Sequence, residues 1–555
     1  DEAAGLLIRL HSAPMYFYRK GKGRYKAAPE KALRAALASI EKKKQQAIIQ
    51  QQYVEQLRQG ILPASMKENA VQLLCKPDKN SIEYKALVMA CDEMRVSPER
   101  LMLNTGGIAG PKELHLSRFI HEHFPRGISF PEMDVPDTRF ELPVADVNAF
   151  SIDDITTTEI DDAFSVTRLA GDRIGIGIHI AAPALGIKPG DALDEMARKR
   201  LSTVYMPGDK ITMLPDELVS RFTLSAGEIR PALSLYAIVD PSDWSVVKTE
   251  TRAEMIKVSE NLRHNDLDHL ITETSLAKNE GDYPHKEDIR ILWRCSRVFE
   301  KKRMEKREAF GLRPEQSNRV DFNFYVSDDG IVTIEKRKRT APLDKIVAEF
   351  MIFANSTWGK LLHEHGIPGI YRSQGSGNGS WMNRMQVKMV THAAPHQGLG
   401  VDQYAWSTSP LRRYTDLVNQ WQILACLDYG VAAPLSAPFR QKDASLFAIV
   451  SAFDAAYSAY NEFQSKMERY WCLRWLAQNN VRQAEAVVIR DEMIRLVDIP
   501  LTIPMPGMQI LARGTQVKID LIRWDEVDLS VEARFVDVSA ETAGEIEANE
   551  EEMAE

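Results

Sequence analysis

The sequence predicts a multidomain α+β chain, with a helical N-terminal region, a large mixed α/β centre and a small β-barrel near the C-terminus. Three observations predict it. At 555 residues the chain is too long for one hydrophobic core. Through the centre, strand-like runs (174–180, 232–239, 320–326) alternate with helical ones (192–200, 343–362, 412–427, 447–476). After a break at 479–485 come short alternating runs (492–497, 516–522, 527–534) with turns at Pro506-Gly507 and Arg513-Gly514.

Residues 1–64 read as a small basic strand segment followed by a long helix. Short strands are expected over 6–25, where Tyr16, Phe17, Tyr18 and Tyr25 interleave with basic residues. That alternation suits stacking on bases beside phosphates, or equally an exposed hairpin packed on its own small core. Pro29 opens the helix, which runs to Gly60. Leu33, Leu37 and Ile40 form one apolar stripe, and Ile48, Ile49, Tyr53 and Leu57 another. Residues 65–130 read as short helices: Ser81 caps one, and Ser97-Pro98 starts another. With the glycine-rich turn Gly106, Gly107 and Gly110, they suggest a helix-turn-helix or winged-helix module, or else a helical spacer. A linker over 125–136 leads into the α/β region, 131–478. The small barrel, of OB type, is expected over 484–540, gripping nucleic acid or serving only in packing. The acidic stretch 541–555 reads as a disordered tail.

Composition excludes several classes. The chain is 44% hydrophobic and 27% charged, with a mean hydropathy of −0.29, as in soluble globular proteins. Its longest apolar runs, 233–239 and 346–354, fall short of a membrane span. No charged-then-apolar leader opens it. The five cysteines form no CxxC pair, which disfavours a disulfide framework or structural zinc and fits a reducing cytoplasm. A net charge of −8 argues against a protein that coats nucleic acid. Basic runs nevertheless stand out at 19–26 (RKGKGRYK), 301–307 (KKRMEKR) and 336–339 (KRKR), so a basic groove is compatible with the acidic whole.

The segment 151–166 reads SIDDITTTEIDDAFSV. It places Asp153, Asp154, Glu159, Asp161 and Asp162 among Ile152, Ile155, Ile160 and Phe164. Acids in an apolar segment repel one another unless a cation offsets them. Hard oxygen donors select Mg²⁺, with Mn²⁺ as the alternative, and two such ions suit phosphodiester hydrolysis. An EF-hand reading fails, because Ile155 and Thr157 occupy ligand positions and no central glycine follows. A plain acidic surface loop is the other reading.

The run SIDDITTTEIDDAFSV, then IHIAAP at 178–183, LSTVYMPGDKITMLPDELVS at 201–220 and HQGLGVDQYAWSTSPLRRYTDLVNQ at 396–420 resemble the ribonuclease II/R family, whose catalytic module is the RNB domain. The resemblance covers roughly 139–476, and the terminal barrel stands where that family carries an S1 domain. It implies a metal-dependent 3′→5′ exoribonuclease that hydrolyses single-stranded RNA processively to nucleoside 5′-monophosphates. A cytoplasmic, monomeric protein with no membrane association is expected. Carried over residue by residue, Asp153, Glu159, Asp161 and Asp162 become metal ligands, and Arg412 becomes the catalytic arginine. Glu159 stands where the family usually has aspartate. Pro410 is expected to begin a helix, placing Arg412 at its N-terminal end, where an ion pair with Asp416 would compete for it. Tyr205 matches a tyrosine holding the RNA 3′ end, and His264 stands where a tyrosine stacks on a terminal base. Glu349 and Tyr414 complete the expected substrate contacts. Ala348 replaces a common glutamate, and a further acid falls among Glu462, Gln464 and Glu468. The helical N-terminal third departs from the family's paired cold-shock barrels. The alternative from another class is an RNA-binding protein with a catalytically decayed RNB fold.

Overall fold

A computed structural model describes residues 2–13, 15–21, 23–136, 140–312, 320–338, 341–375 and 386–539. The expected tail, 541–555, and the last residue of the basic run 336–339 lie outside the described residues. Two compact units emerge, residues 1–128 with 525–530, and residues 129–524 with 531–555.

The first unit opens on a helix, Glu2–Ser12, and so corrects the expected strands over its length. The dipole explains the choice: Glu2 lies in the first turn, and Arg9 and His11 in the last. Strands follow only at β1 (Phe17–Arg19) and β2 (Tyr25–Ala27), an antiparallel hairpin. The long helix spans Glu30–Arg58 behind Pro29, whose fixed φ suits a helix start. Only its C-terminal half packs. Val54 and Leu57 are fully buried, whereas Leu37 is 42% and Ile40 41% exposed, so the first apolar stripe is not core. Five helices follow: Ala64–Glu68, Ala70–Cys75, Ile82–Met94, Pro98–Asn104 and Pro111–His123. Ser81 and Ser97 cap as expected, their hydroxyls accepting the N–H of Tyr84 (3.1 Å) and Arg100 (3.3 Å). Leu57, Met66, Leu87, Leu101 and Leu114 form this unit's core. No wing strands accompany these five helices among the described residues.

The second unit is built on a closed five-stranded barrel. Its strands are β3 (Ala149–Asp153), β4 (Asp162–Arg168), β5 (Ile174–Ala181), β8 (Ile229–Asp240) and β9 (Ser245–Arg263). Neighbours are antiparallel except β3 and β9, whose parallel pairing closes the barrel. Alternation along β5 explains its register. Ile174, Ile176, Ile178 and Ile180 point to one face and join a core with Phe164, Leu233 and Phe350. Helices Lys286–Ala309 and Pro342–Glu364 cover that core. Between β5 and β8 lies a short hairpin, β6 (Val204–Met206) with β7 (Asp209–Ile211). Its Gly208 has φ +77°, and a Cβ there would meet Val326 at 2.7 Å. Further hairpins are β10 (Val320–Val326) with β11 (Val332–Lys338), and β12 (Tyr371–Ser373) with β13 (Lys388–Val390). Helix Tyr414–Tyr429 is buried along nearly its whole length, and Ala444–Gln478 is the longest helix described.

The C-terminal expectation needs correcting. Strands β14 (Gln483–Arg490), β15 (Met493–Leu496), β16 (Thr502–Pro504), β17 (Gln516–Asp525) and β18 (Ser530–Val538) form a curled half-barrel sheet in the order β16-β15-β14-β17-β18. It stays open because its edge strands β16 and β18 do not pair. β16 is only three residues long and ends on Pro504, which has no N–H to extend a ladder.

Candidate active site

The acid segment is a barrel strand end, a loop and a strand start. Asp153 closes β3, Asp162 opens β4, and the loop between them is pinned on several sides. The Ile160 N–H donates to Thr223 Oγ1 (2.7 Å), the Leu224 N–H to the Ile160 carbonyl (3.0 Å), and the Ala181 N–H to the Asp161 carbonyl (2.8 Å). Arg263, opposite Asp153 in register, donates to the Asp154 carbonyl (2.7 Å). Fixing the loop on these partners leaves its carboxylates little freedom to move apart.

Each acid has its own surroundings. Ser151 Oγ donates to Asp153 Oδ2 (2.6 Å). Asp161 is buried, accepting the Leu411 N–H (3.0 Å) and Arg412 Nε (3.1 Å). Glu159 is buried too, and Tyr205 donates its hydroxyl to Oε2 (2.7 Å). Burial pushes the Asp161 carboxyl up to about 7, with Arg412 the main opposing influence. Burial and then the charges of Asp153 and Asp161 hold Asp162 well above the usual carboxylate range. Asp153 is raised as well, chiefly by burial.

The donor set therefore fits a divalent cation. Three carboxyls are held high, first by burial and for Asp162 also by its acidic neighbours, and Glu159 Oε1 is buried with no hydrogen bond, facing only the Lys210 ammonium at 3.3 Å. Oxygen-only ligands of this kind suit Mg²⁺ or Mn²⁺.

Arg412 reaches this cluster by a route different from the expected one. The helix starts at Tyr414 rather than at Pro410, so Arg412 lies in the turn before it. Its ion-pair partner is Asp161, and Ser409 Oγ accepts from Nη2 (2.9 Å). Asp416 pairs instead with Arg413, at 2.7 and 2.9 Å. The arginine side chain is 40% exposed against 4% for Asp161, so it bridges the buried acids and solvent. Burial works against its charge, but Tyr205 and Asp161 more than offset that and keep it protonated.

The other expected contacts divide. Tyr205, on β6, is 36% exposed with its hydroxyl on Glu159. His264 is buried, its Nδ1 3.2 Å from Asp268 and its Nε2 3.7 Å from Asp344, leaving little ring face for a base. Arg337 sits on both of those acids, so the cation there is supplied by the chain. Glu349 is buried against Arg303, which also donates to the Leu399 carbonyl (2.7 Å). Tyr414 is corrected outright: it is fully buried, and its hydroxyl donates to Asp194 (2.5 Å), so it has no surface for a substrate. Glu468 accepts from Gln464 (2.8 Å), while Glu462 is exposed and pairs with Lys466.

One neighbour escaped the sequence reading. Lys210 pairs with Tyr205 across the β6–β7 hairpin, and its Nζ lies 3.3 Å from Glu159 Oε1 and 2.8 Å from Thr158 Oγ1. Tyr205 and Lys210 thus hold the two oxygens of one carboxylate from one face. The Pro207-Gly208 turn could have shown it, since a two-residue loop there sets Tyr205 opposite Lys210.

Residues 143–392 and 380–429 match the RNB domain. The chain belongs to the RNB-domain, ribonuclease II/R family. An uncharacterized ribonuclease of Synechocystis is 28% identical over 380 residues, covering 65% of this chain and 53% of the relative. The chloroplastic/mitochondrial ribonuclease II of Arabidopsis thaliana is 26% identical over 420 residues, 71% of this chain and 49% of that protein. The chain thus spans about half the length of these curated relatives. An organellar relative leaves the expected cytoplasmic location open. The Dss1 exoribonuclease of Candida glabrata superposes with a TM-score of 0.65 at 18% identity, over 92% of this chain and 75% of its own. Mycoplasma genitalium RNase R, solved with ribose-methylated single-stranded RNA, gives 0.60 at 11% identity, over 76% of this chain and 77% of its own. These two likenesses concern the RNB fold. No described helix is long and apolar enough to cross a membrane.

Proposed function

We propose that this RNB-domain protein is a 3′→5′ exoribonuclease that hydrolyses single-stranded RNA processively to nucleoside 5′-monophosphates. The observation that carries this reading is the meeting of one acidic segment, with Asp153, Glu159, Asp161 and Asp162, and the distant Arg412 in a single buried cluster. Asp153, Asp161 and Asp162, with Glu159, would hold divalent metal, Mg²⁺ or Mn²⁺. When bound, two such ions supply an activated water and charge stabilisation for the leaving oxygen.

The chain's own groups do the rest. Arg412, held by Asp161 and Ser409 yet 40% exposed, presents its guanidinium to the non-bridging oxygens of the scissile phosphate. Tyr205 offers ring surface to the terminal nucleotide while its hydroxyl keeps Glu159 oriented. The one-methylene excess of Glu159 over aspartate is taken up by that hydroxyl and by Lys210. Selectivity for RNA would come from contacts to the 2′-hydroxyl.

The test is direct. Incubating the protein with a 5′-labelled oligoribonucleotide and Mg²⁺ should convert it to a short labelled end product with few intermediates, and EDTA should abolish this. Tight RNA binding with no metal-dependent turnover overturns the reading in favour of a decayed nuclease.

A further inference from the structure

The basic runs of this chain meet different fates. In helix Lys286–Ala309, Arg303 is claimed by Glu349 and Lys306 by Asp402. On β11, Lys336 pairs with Asp498, and Arg337 with Asp268 and Asp344. Around the β1–β2 hairpin, by contrast, Arg19, Lys20, Arg24 and Lys26 are exposed, and none pairs with a carboxylate among the described residues. Uncompensated like charges on so short a segment repel one another, and a polyanion relieves that repulsion.

The register sorts these residues by face. Tyr18 pairs with Lys26, and the Lys20 N–H donates to the Arg24 carbonyl (2.9 Å). Cross-strand partners share a face, so Tyr18, Lys20, Arg24 and Lys26 lie together. Tyr16, two residues before Tyr18, joins them. On the other face Tyr25 meets the His11 ring edge-on at 5.9 Å. Among the described residues nothing covers the first face, with Tyr16 43% and Tyr18 42% exposed.

We propose that this hairpin face is a docking site for single-stranded RNA, with Tyr16 and Tyr18 stacking on bases and Lys20, Arg24 and Lys26 neutralising phosphates. Exposed rings on a flat β face can be met by unpaired bases, whereas a duplex keeps its base faces stacked inside. A membrane surface wants an apolar face opposite its cations, whereas here the tyrosine rings and the cations share one face. The choice of RNA as the polyanion rests on the function proposed above.

The experiment uses the full chain in EDTA, so that no turnover is involved, with fluorescence anisotropy of a labelled single-stranded oligoadenylate RNA. Replacing both tyrosines (Tyr16→Ala with Tyr18→Ala) should weaken binding at least about tenfold, while Tyr16→Phe with Tyr18→Phe retains it. Lys20→Gln, Arg24→Gln and Lys26→Gln together should lower the slope of log affinity against log salt by about 2. Circular dichroism checks that each variant keeps its helix content. Unchanged affinity and salt slope overturn the proposal, as does a loss of binding to phosphatidylserine vesicles without a loss for RNA. If the wild type hydrolyses nothing but the tyrosine variants still lose RNA, the catalytic reading fails and the docking site stands.

Discussion

His179 and Asp162 lie one register step apart, since Ala163 pairs with His179 and Asp162 with Ile180. Both are polar groups at the wall of one barrel, yet their surroundings differ in kind. His179 is fully buried between the hydroxyls of Ser165 and Ser234, each 2.8 Å away. Burial lowers its pKa to about 3, so it stays neutral, and both ring nitrogens are satisfied. Gly177 makes the space, because a Cβ there would fall 2.4 Å from Ser165 Oγ. Asp162 instead faces Asp153 and Asp161, with only Arg412 to relieve the charge. A satisfied polar cluster stabilises a fold, whereas one short of a counter-charge is poised to bind one. The protein keeps both in one sheet.

The strongest way to break this contrast is Asp162→Asn. Hydrolysis should fall at least about a thousandfold in single-turnover assays, while the metal-free protein gains about 1 kcal/mol or more, because a repelling charge is gone. Loss of both activity and metal-free stability would falsify the view that Asp162 is strained without metal. Arg412→Lys comes next. It keeps the charge but loses the fork that spans Asp161 and Ser409, so kcat should drop roughly a hundredfold with KM little changed. A KM effect alone would make Arg412 a binding group only.

His179→Ala should show the opposite behaviour. It removes the partner of the buried Ser165 hydroxyl and one of those of Ser234, costing about 2 kcal/mol by denaturant unfolding, with activity per folded molecule retained. Tyr205→Phe is milder, costing about tenfold in activity through a less oriented Glu159. The pH dependence sharpens the same point. A carboxyl raised in the folded state binds its proton more tightly there than in the unfolded chain. In EDTA, its contribution therefore favours folding at low pH and weakens as pH rises from about 4 towards the 7 of Asp161. Thermal unfolding in EDTA should show wild type losing stability over that window more steeply than Asp162→Asn, and added Mg²⁺ should remove the difference.

Much of this was legible in residue order. Acids among isoleucines announced a charge problem. The run 174–180 announced a strand, and Ser81 and Ser97 announced helix starts. Other features were not. Arg412 was expected at a helix N-terminus beside Asp416, but Asp416 is taken by Arg413, a choice made by packing around Trp406, over which Arg413 lies at 4.2 Å. Tyr414 was expected as a substrate contact, yet the helix turns it inward to Asp194.

By itself, the sequence determined the family, through its long motifs, and the helical character of the N-terminal third, through its local period. Only the tertiary structure decided which charge answers which. Asp161 and Arg412 are separated by 251 positions in sequence and by 3.1 Å in space. The open C-terminal sheet was decided in the same way, since closure depends on whether two edge strands meet. Neither outcome is written in local pattern, because pairing between distant segments is settled by the packing of everything between them.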